Sequence, residues 1–371
     1  MSTRLFGPWP RGFFILGMVI AFFLLGMKDI FQQVLAWEKQ GKRFAVATVI
    51  DTWRSSPRPV GSSMIIDEGM RVAGSVSGGC IEGAVIKSAQ DVIKDGAAIR
   101  QKFGVSNAEA WSVGLSCGGA IEVFIYPFLH QTAKRQDSII WAKLKESVLA
   151  DSSCLMATQI NQEARHLWLG RDGESIGDIG TFPSDIELEK ILSSGRSQII
   201  HDQEQDIFVH VFPPQDHLVI IGAAHLSIPL VQMAQIQGFK VTVIDPRGIF
   251  SDSLAAICPP DQLVTAWPAD ILPSITLDQS VFAVTLTHDP KIDDQALEIL
   301  LNSNVHYIGA LGSSRTHDKR KVRLKEAGFT ADQIDRIHGP VGLNIAAESP
   351  GEIALSILAQ IVQIKNKRAL F

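Results

Sequence analysis

The stretch that decides the fold lies in the second half of the chain, where residues 218–245 read LVIIGAAHLSIPLVQMAQIQGFKVTVID. Its first four residues are apolar and predict a buried strand, Gly222 opens a turn, and Ile228–Gln237 has the apolar period of a helix. A second strand over Val241–Ile244 ends on Asp245. A strand, a glycine turn, a helix and a second strand are typical of a βαβ unit of the Rossmann type.

Alternating strands and helices continue from this unit towards the C-terminus. Strands are predicted over 281–286 and 306–308, and helices over 293–301, 314–326 and 350–364. Several parallel crossovers of this kind predict a doubly wound open sheet.

Pro213-Pro214 marks the boundary with the rest of the chain. We therefore expect an α/β protein with two parts. An N-terminal α+β domain with Gly-rich cysteine loops covers 28–212, including a connecting region over 131–212. A Rossmann-like domain with a doubly wound parallel sheet covers 213–371.

The glycine pattern for dinucleotide binding is incomplete in the turn after the first parallel strand. Gly-x-Gly-x-x-Gly requires glycines where Ala224 and Ser227 stand. A nucleotide bound there would contact Gly222 and His225, with Asp245, 23 positions after Gly222, as the ribose partner. The alternative role of Asp245 is to cap the turn that Pro246 begins.

Two more clusters follow predicted parallel strands, where ligands bind in such sheets. They are Thr287-His288-Asp289 and the segment 309–315, which reads GALGSSR. His288 and His338 are candidate acid–base groups, although a lone histidine is more often structural. An NAD(P)-dependent oxidoreductase is thus an alternative function, weakened by the missing glycines and by the lack of a catalytic trio.

The first half contains two related glycine-rich stretches. Residues 74–83 read GSVSGGCIEG, and residues 114–122 read GLSCGGAIE. Cys80 follows its glycine pair and Cys117 precedes its own. The apolar residues after Cys80 predict a helix start, whose backbone N–H groups attract anions and whose dipole favours a thiolate.

These stretches predict a binding site with soft sulfur ligands and an anion-binding loop. The residues that we expect to contact the ligand are Gly78, Gly79, Cys80, Cys117, Gly118 and Gly119. Arg54 and Arg58, in a Pro/Gly/Ser loop, suit recognition of a phosphate. Glu82 and Glu122 are expected to accept hydrogen bonds from the N–H groups of their own loops.

Other functions of the two cysteines are open at this point. They are either ligand-side thiols or small buried side chains in tight loops. A thiol–disulfide redox role lacks a Cys-x-x-Cys motif, and two cysteines fall short of a closed zinc site.

The remaining elements of the first half follow from apolar patterning. Strands are predicted over 44–52, 64–66 and 121–126, and helices over 81–93 and 131–150. Residues 153–211 have weaker patterns, with short strands and one helix over 183–192.

Charge and cysteine content restrict the class of protein. A net charge of −5 argues against a nucleic-acid partner, which requires a concentrated basic face. Four cysteines in 371 residues suit free thiols in a reducing compartment, so we expect a cytoplasmic protein.

Residues 1–27 form an apolar extension with three interpretations. The apolar run over 12–27 is shorter than a membrane-spanning helix requires, and no clear cleavage site follows it as in a secretory signal. We favour Met27 as the true start, because an amphipathic helix follows directly, with Ile30, Val34 and Leu35 at helical spacing.

Five segments together resemble the XdhC/CoxI family of xanthine dehydrogenase accessory proteins. They are residues 74–83, 116–122, 222–225, 307–315 and 337–352, and the resemblance extends over 28–366. It departs from the family at Ala224, where relatives usually carry glycine, and at the apolar N-terminal extension.

The resemblance implies a molybdenum cofactor (molybdopterin) chaperone rather than a metabolic enzyme. Such a protein protects the cofactor while a cysteine desulfurase supplies sulfur, and delivers it to a xanthine dehydrogenase-type molybdenum hydroxylase. Cys80 and Cys117 would then be the thiolates on the molybdenum side. Proteins of this kind are also expected to form homo-oligomers.

Overall fold

The computed structural model describes residues 30–54, 56–103, 119–132, 134–160, 164–180, 183–201, 205–248 and 251–367. The apolar extension and the greater part of the second glycine-rich stretch lie outside these residues. No helix within the described ranges is long and apolar enough to cross a bilayer.

The first half contains two antiparallel five-stranded sheets. The first has the strand order β3-β2-β1-β5-β4 and the second the order β8-β7-β6-β10-β9. The strands are β1 (Phe44–Trp53), β2 (Ser63–Asp67), β3 (Val72–Gly74), β4 (Ile99–Phe103), β5 (Ala120–Pro127), β6 (Cys154–Gln159), β7 (His166–Gly170), β8 (Ser175–Gly177), β9 (Gln198–His201) and β10 (Asp206–Phe212).

In the described part of the first half, four helices accompany these two sheets. They are α1 (Phe31–Lys39), α2 (Glu82–Asp95), α3 (Arg135–Leu149) and α4 (Asp185–Ser194). Helix α3 begins later than the predicted residue 131, because Leu129–Gln131 forms a separate 3-10 turn.

One hydrophobic core joins the two antiparallel sheets. It combines Phe44 and Phe124 of the first sheet with Met156 and Phe208 of the second, and α1 and α3 contribute Phe31 and Trp141. Helix α2 covers the other face of the first sheet, and α4 covers that of the second. Since both faces of β1 are covered, its first seven residues are all buried.

The second half forms a six-stranded parallel sheet with the order β13-β12-β11-β14-β15-β16. Its strands are β11 (His217–Ile221), β12 (Lys240–Ile244), β13 (Gln262–Val264), β14 (Val281–Thr285), β15 (Tyr307–Ala310) and β16 (Ile337–His338). The helices are α5 (Ser227–Ile236), α6 (Ser251–Ile257), α7 (Pro268–Ile271), α8 (Pro290–Leu301), α9 (Ser314–Glu326), α10 (Ala331–Ile334) and α11 (Pro350–Lys367).

This parallel sheet has the strand order of a Rossmann fold. Counted from its own first strand the order is 3-2-1-4-5-6, which places the topological switch point between β11 and β14. Separate apolar clusters cover its two faces. The fold class predicted from the sequence is therefore confirmed.

Candidate functional site

Three loops meet at one end of the first sheet. Strand β1 ends at Trp53, which pairs with Ala120 at the start of β5, directly after Gly119. The loop that follows β3 comes to the same end: a Cβ built on Gly78 would lie 3.8 Å from Cβ of Pro57. The sheet therefore brings together the arginine loop after β1, the first glycine-rich stretch and the end of the second.

Residues 75–82, here called the Cys80 loop, are organised around the carboxylate of Glu82. Its Oε1 accepts hydrogen bonds from Ser75 Oγ (2.8 Å) and Ser77 N (2.9 Å). Its Oε2 accepts from Ser77 Oγ, from Gly79 N (2.9 Å) and from Ile81 N (3.2 Å). Burial alone raises the pKa of Glu82, but these hydrogen bonds outweigh it and lower the pKa to about 2.

The two serines of the loop take the other amides. Cys80 N and Ile81 N each donate to Ser77 Oγ over 3.1 Å, and Gly78 N donates to Ser75 Oγ over 2.9 Å. Every amide from Ser77 to Ile81 thus has a partner inside the loop. Side chains of the same loop thus occupy these five amides, and the expected role of Glu82 is confirmed. Phosphate binding at the start of α2 stays a prediction.

The loop exposes its glycines and half-exposes its cysteine. Gly78 and Gly79 are exposed with φ of 79° and 119°, values that favour glycine. No atom lies within 4 Å of a Cβ built on Gly79. Cys80 is a free, half-exposed cysteine, and it packs against the apolar cluster between α2 and the first sheet.

The second glycine-rich stretch is described only from Gly119 onward. Cys117 and Gly118 lie outside the described residues, and whether Cys117 shares a cavity with Cys80 stays a prediction. Gly119 is half-buried beside the first residue of β5.

The arginine loop carries one exposed and one half-buried guanidinium. Arg54 is exposed and lies over the ring of Trp53, with its Cζ 4.1 Å from the ring centroid. Arg58 is half-buried, and its backbone carbonyl accepts a hydrogen bond from Ser56 Oγ. A phosphate contact for either arginine stays a prediction.

Glu122 binds basic side chains of β4, and its expected hydrogen bonds to the N–H groups of its own loop fall mostly outside the described residues and stay a prediction. Its carboxylate binds the guanidinium of Arg100, over 2.5 Å from Nε to Oε1, and Arg100 also binds Asp206 of the second sheet. The reason is that β4 pairs with β5 and places Arg100 and Lys102 beside Glu122. Glu122 therefore helps to join the two sheets.

At the switch point of the parallel sheet, Gly222 allows two loops to pack closely. Its φ is 117°, and a Cβ there would lie 2.9 Å from Cγ2 of Thr287. Ala224 is half-buried and His225 is exposed. A contact of Gly222 or His225 with a ligand stays a prediction.

Asp245 is not placed to bind a ribose. Its side chain is 0% exposed and receives Ala223 N (2.7 Å) on Oδ2. Arg247 donates to both carboxylate oxygens, from Nε to Oδ1 over 3.0 Å and from Nη2 to Oδ2 over 2.9 Å. Burial raises the pKa of Asp245, but these hydrogen bonds lower it overall. The predicted ribose contact is wrong, because both oxygens are used inside the protein.

A buried polar cluster beside the switch point escaped the sequence-based prediction. Thr287 Oγ1 donates to Asp293 Oδ1 over 2.6 Å, and Arg320 lies 4.0 Å from Asp293 Oδ2 and donates to the carbonyl of Leu311. Asp293 and Arg320 are each 2% exposed. The sequence did contain a signal for this cluster, because Asp293 lies on the buried face of α8 and Arg320 on the buried face of α9.

The two candidate acid–base histidines differ in their surroundings. His288 is exposed in the left-handed region, with φ of 62°. His338 is half-buried and stacks on Tyr307, with ring centroids 4.9 Å apart. Within the described ranges, no group of three or more His, Cys, Asp and Glu side chains is arranged to hold a metal ion.

The fold and the site define an α/β protein with a Rossmann-like second half and an accessible thiol in a glycine-rich loop of the first. The chain belongs to the XdhC and CoxI family. The model of that family matches residues 37–104, and the model described as the XdhC Rossmann domain matches residues 218–361.

Similar proteins have been named in two bacteria. The chain is 28% identical to a probable xanthine dehydrogenase subunit of Bacillus subtilis, over 88% of this chain and 94% of that protein. It is 23% identical to the molybdenum cofactor insertion chaperone PaoD of Escherichia coli, over 88% of this chain and 84% of that protein.

The fold is also similar to a solved structure. A protein of Bacillus halodurans described as a xanthine dehydrogenase superposes with a TM-score of 0.72 at 25% identity. The superposition covers 91% of this chain and 96% of that one.

Proposed function

We propose that this protein binds the molybdenum cofactor as cargo and inserts it into a xanthine dehydrogenase-type molybdenum hydroxylase. Family membership and the similarity to a protein named as a molybdenum cofactor insertion chaperone support an accessory role in maturation of such enzymes. The observation that carries the proposal is the Cys80 loop, which presents a free thiol at the meeting point of three loops.

The chemistry of this end of the sheet suits such a cargo. Thiolate sulfur is a soft ligand and matches a metal centre already bound by sulfur. The amides from Ser77 to Ile81 are occupied by Glu82 and by the two serines, which favours side chains as contacts for a phosphate of the cargo. Arg54 and Arg58 supply the positive charge for that contact.

The partners and the location follow from this role. We propose that the chain holds the cofactor while a cysteine desulfurase supplies sulfur, and that it self-associates. We also propose a cytoplasmic location, which is supported by the fact that Cys80, Cys154 and Cys258 are outside any disulfide.

The test is cofactor loading of purified protein produced in cells that make molybdenum cofactor. Bound molybdenum and bound pterin are measured for the wild type, Cys80→Ala and Cys117→Ala. We expect each variant to lose at least about tenfold in bound molybdenum, the scale on which the loss of a metal-site contact acts.

The control is Cys258→Ala, because Cys258 belongs to the apolar cluster of the parallel sheet. It is expected to load like the wild type. Equal loading of all four proteins would refute the thiol role, and an empty wild type would refute the function.

A further inference from the structure

Trp53 is a large aromatic side chain left exposed at the end of a buried strand. The first seven residues of β1 are buried, whereas 57% of Trp53 is exposed. A single exposed apolar residue is ordinary on a protein surface. What distinguishes Trp53 is the arginine held against it.

Arg54 is fixed over one face of the indole ring. Its Cζ lies 4.1 Å from the ring centroid, within the range of a cation–π contact. Its φ is 60°, in a region that residues other than glycine rarely adopt. Since more than half of Trp53 is exposed despite this cover, the pair presents a flat surface to solvent.

This flat surface lies at the end of the sheet that carries the Cys80 loop. Trp53 pairs with Ala120, next to Gly119. Four residues further along the chain, Pro57 lies beside Gly78 of the Cys80 loop. A ligand at the Cys80 thiol therefore has an aromatic and a guanidinium surface within the same group of loops.

We propose that Trp53 and Arg54 form a stacking platform for a planar heteroaromatic ring of the pterin type. This inference rests on the proposed function, since it assigns the organic end of the same cargo. Trp stacks on flat rings regardless of their substituents, and the planar guanidinium of an arginine stacks on aromatic faces as well. Cys80 then faces the metal end, and the platform faces the ring.

The experiment uses 6-hydroxymethylpterin, which has neither phosphate nor molybdenum, titrated into the full chain. Calorimetry gives the affinity, and tryptophan emission reports contact with an indole ring. We expect binding with quenched emission in the wild type. Trp53→Ala should weaken binding about tenfold to hundredfold, as for loss of one stacked base, and Trp53→Phe should retain most of the affinity.

Two further variants sharpen the assignment. Arg54→Ala should also weaken binding, because it removes the second layer of the stack. Trp267→Ala is the matched control, because Trp267 is 44% exposed and precedes α7 in the parallel-sheet half. This variant should bind the pterin with the affinity of the wild type. Circular dichroism confirms that each variant is folded.

The outcomes separate the platform from the proposed function. If the wild type does not bind the pterin, or if Trp53→Ala binds it as tightly as the wild type, the platform is refuted, whatever the cofactor loading shows. If Trp53→Ala binds pterin normally but no longer associates with the hydroxylase, the platform is also refuted and Trp53 belongs to a protein interface. If pterin binding depends on Trp53 while the wild type carries no molybdenum, the platform stands and the cofactor-insertion function fails.

Discussion

The Cys80 loop and the turn at residues 222–226 both contain glycine at positive φ and both lead into a helix, yet the carboxylate that binds their backbone N–H groups comes from a different place in each. In the Cys80 loop the carboxylate is Glu82, which comes from the same loop and binds its amides and hydroxyls. In the turn it is Asp245, which comes from the end of the neighbouring strand and is fully buried with Arg247.

The difference has a consequence for ligand binding. The Cys80 loop is a local unit whose shape depends on contacts within eight residues, and it exposes two glycines and half-exposes its cysteine. The turn at residues 222–226 depends on contacts with two other loops, through Asp245 and Thr287. A glycine before a predicted helix therefore indicates a tight loop in both places, but the surrounding side chains decide which groups a ligand can reach.

The largest expected effect comes from a matched pair of glycines. Gly222 and Gly79 have nearly equal φ, 117° and 119°, but only Gly222 has close neighbours. We expect Gly222→Ala to lower the free energy of unfolding by about 4 kcal/mol, from backbone strain and overpacking together. Gly79→Ala should cost about 2 kcal/mol, from the strain alone. Urea unfolding followed by circular dichroism measures both, and equal losses would contradict the packing argument.

The next effect concerns the buried carboxylate of the parallel sheet. Asp245→Ala removes the partner of Arg247 and of Ala223 N, so we expect a loss of about 3 kcal/mol in the free energy of unfolding. Urea unfolding measures this loss.

Asp261→Ala is the control, because Asp261 is exposed and accepts a hydrogen bond from Val241 N. It should cost about 1 kcal/mol. Tight NAD binding to the wild type, abolished in Asp245→Ala, would contradict the structural role of Asp245.

The smallest effect on stability is expected at Glu82, and it depends on pH. The pKa of Glu82 falls from 4.5 to about 2 on folding, so its stabilising contribution is complete above pH 4.5 and is lost as the pH falls towards 2. Glu82→Ala should cost about 2 kcal/mol at pH 7 and almost nothing at pH 2. Unfolding measurements from pH 2 to pH 7, with wild type and variant in parallel, test whether the stability difference between them grows as the pH rises.

The same variant should also change the reactivity of Cys80. Without Glu82 the loop opens more often, so iodoacetamide should modify Cys80 several times faster, with the site assigned by peptide mass spectrometry. Glu352→Ala is the control, because Glu352 binds two amides before α11 in the same manner. An equal rate in the wild type and Glu82→Ala would show that Glu82 does not hold the thiol in place.

Much of the fold was predictable because it depends on local apolar patterns. The continuous apolar runs of β11 and β14 identify buried parallel strands, and helical periodicity identifies α9 and α11. The short strands β3, β4, β8, β13 and β16 were not predicted. Strand β4 reads IRQKF and has no β pattern of its own, so pairing with β5 defines it. The short strands predicted within residues 153–211 are confirmed, with β8 in addition, but their pairing into a complete second sheet, in a segment expected as a connecting region, was not predicted.

The sequence by itself determined the family, the Rossmann-like second half, and the glycine-rich cysteine stretches as candidate binding loops. Apolar periodicity and glycine spacing are local properties, and a short segment is enough to show them. Only the tertiary structure decided which polar groups are free: Glu82 takes the amides of the Cys80 loop, Asp245 is buried with Arg247, and Trp53 is left exposed under Arg54. Hydrogen-bond partners and burial depend on residues far apart in the chain, and so they are decided only when the sheets assemble.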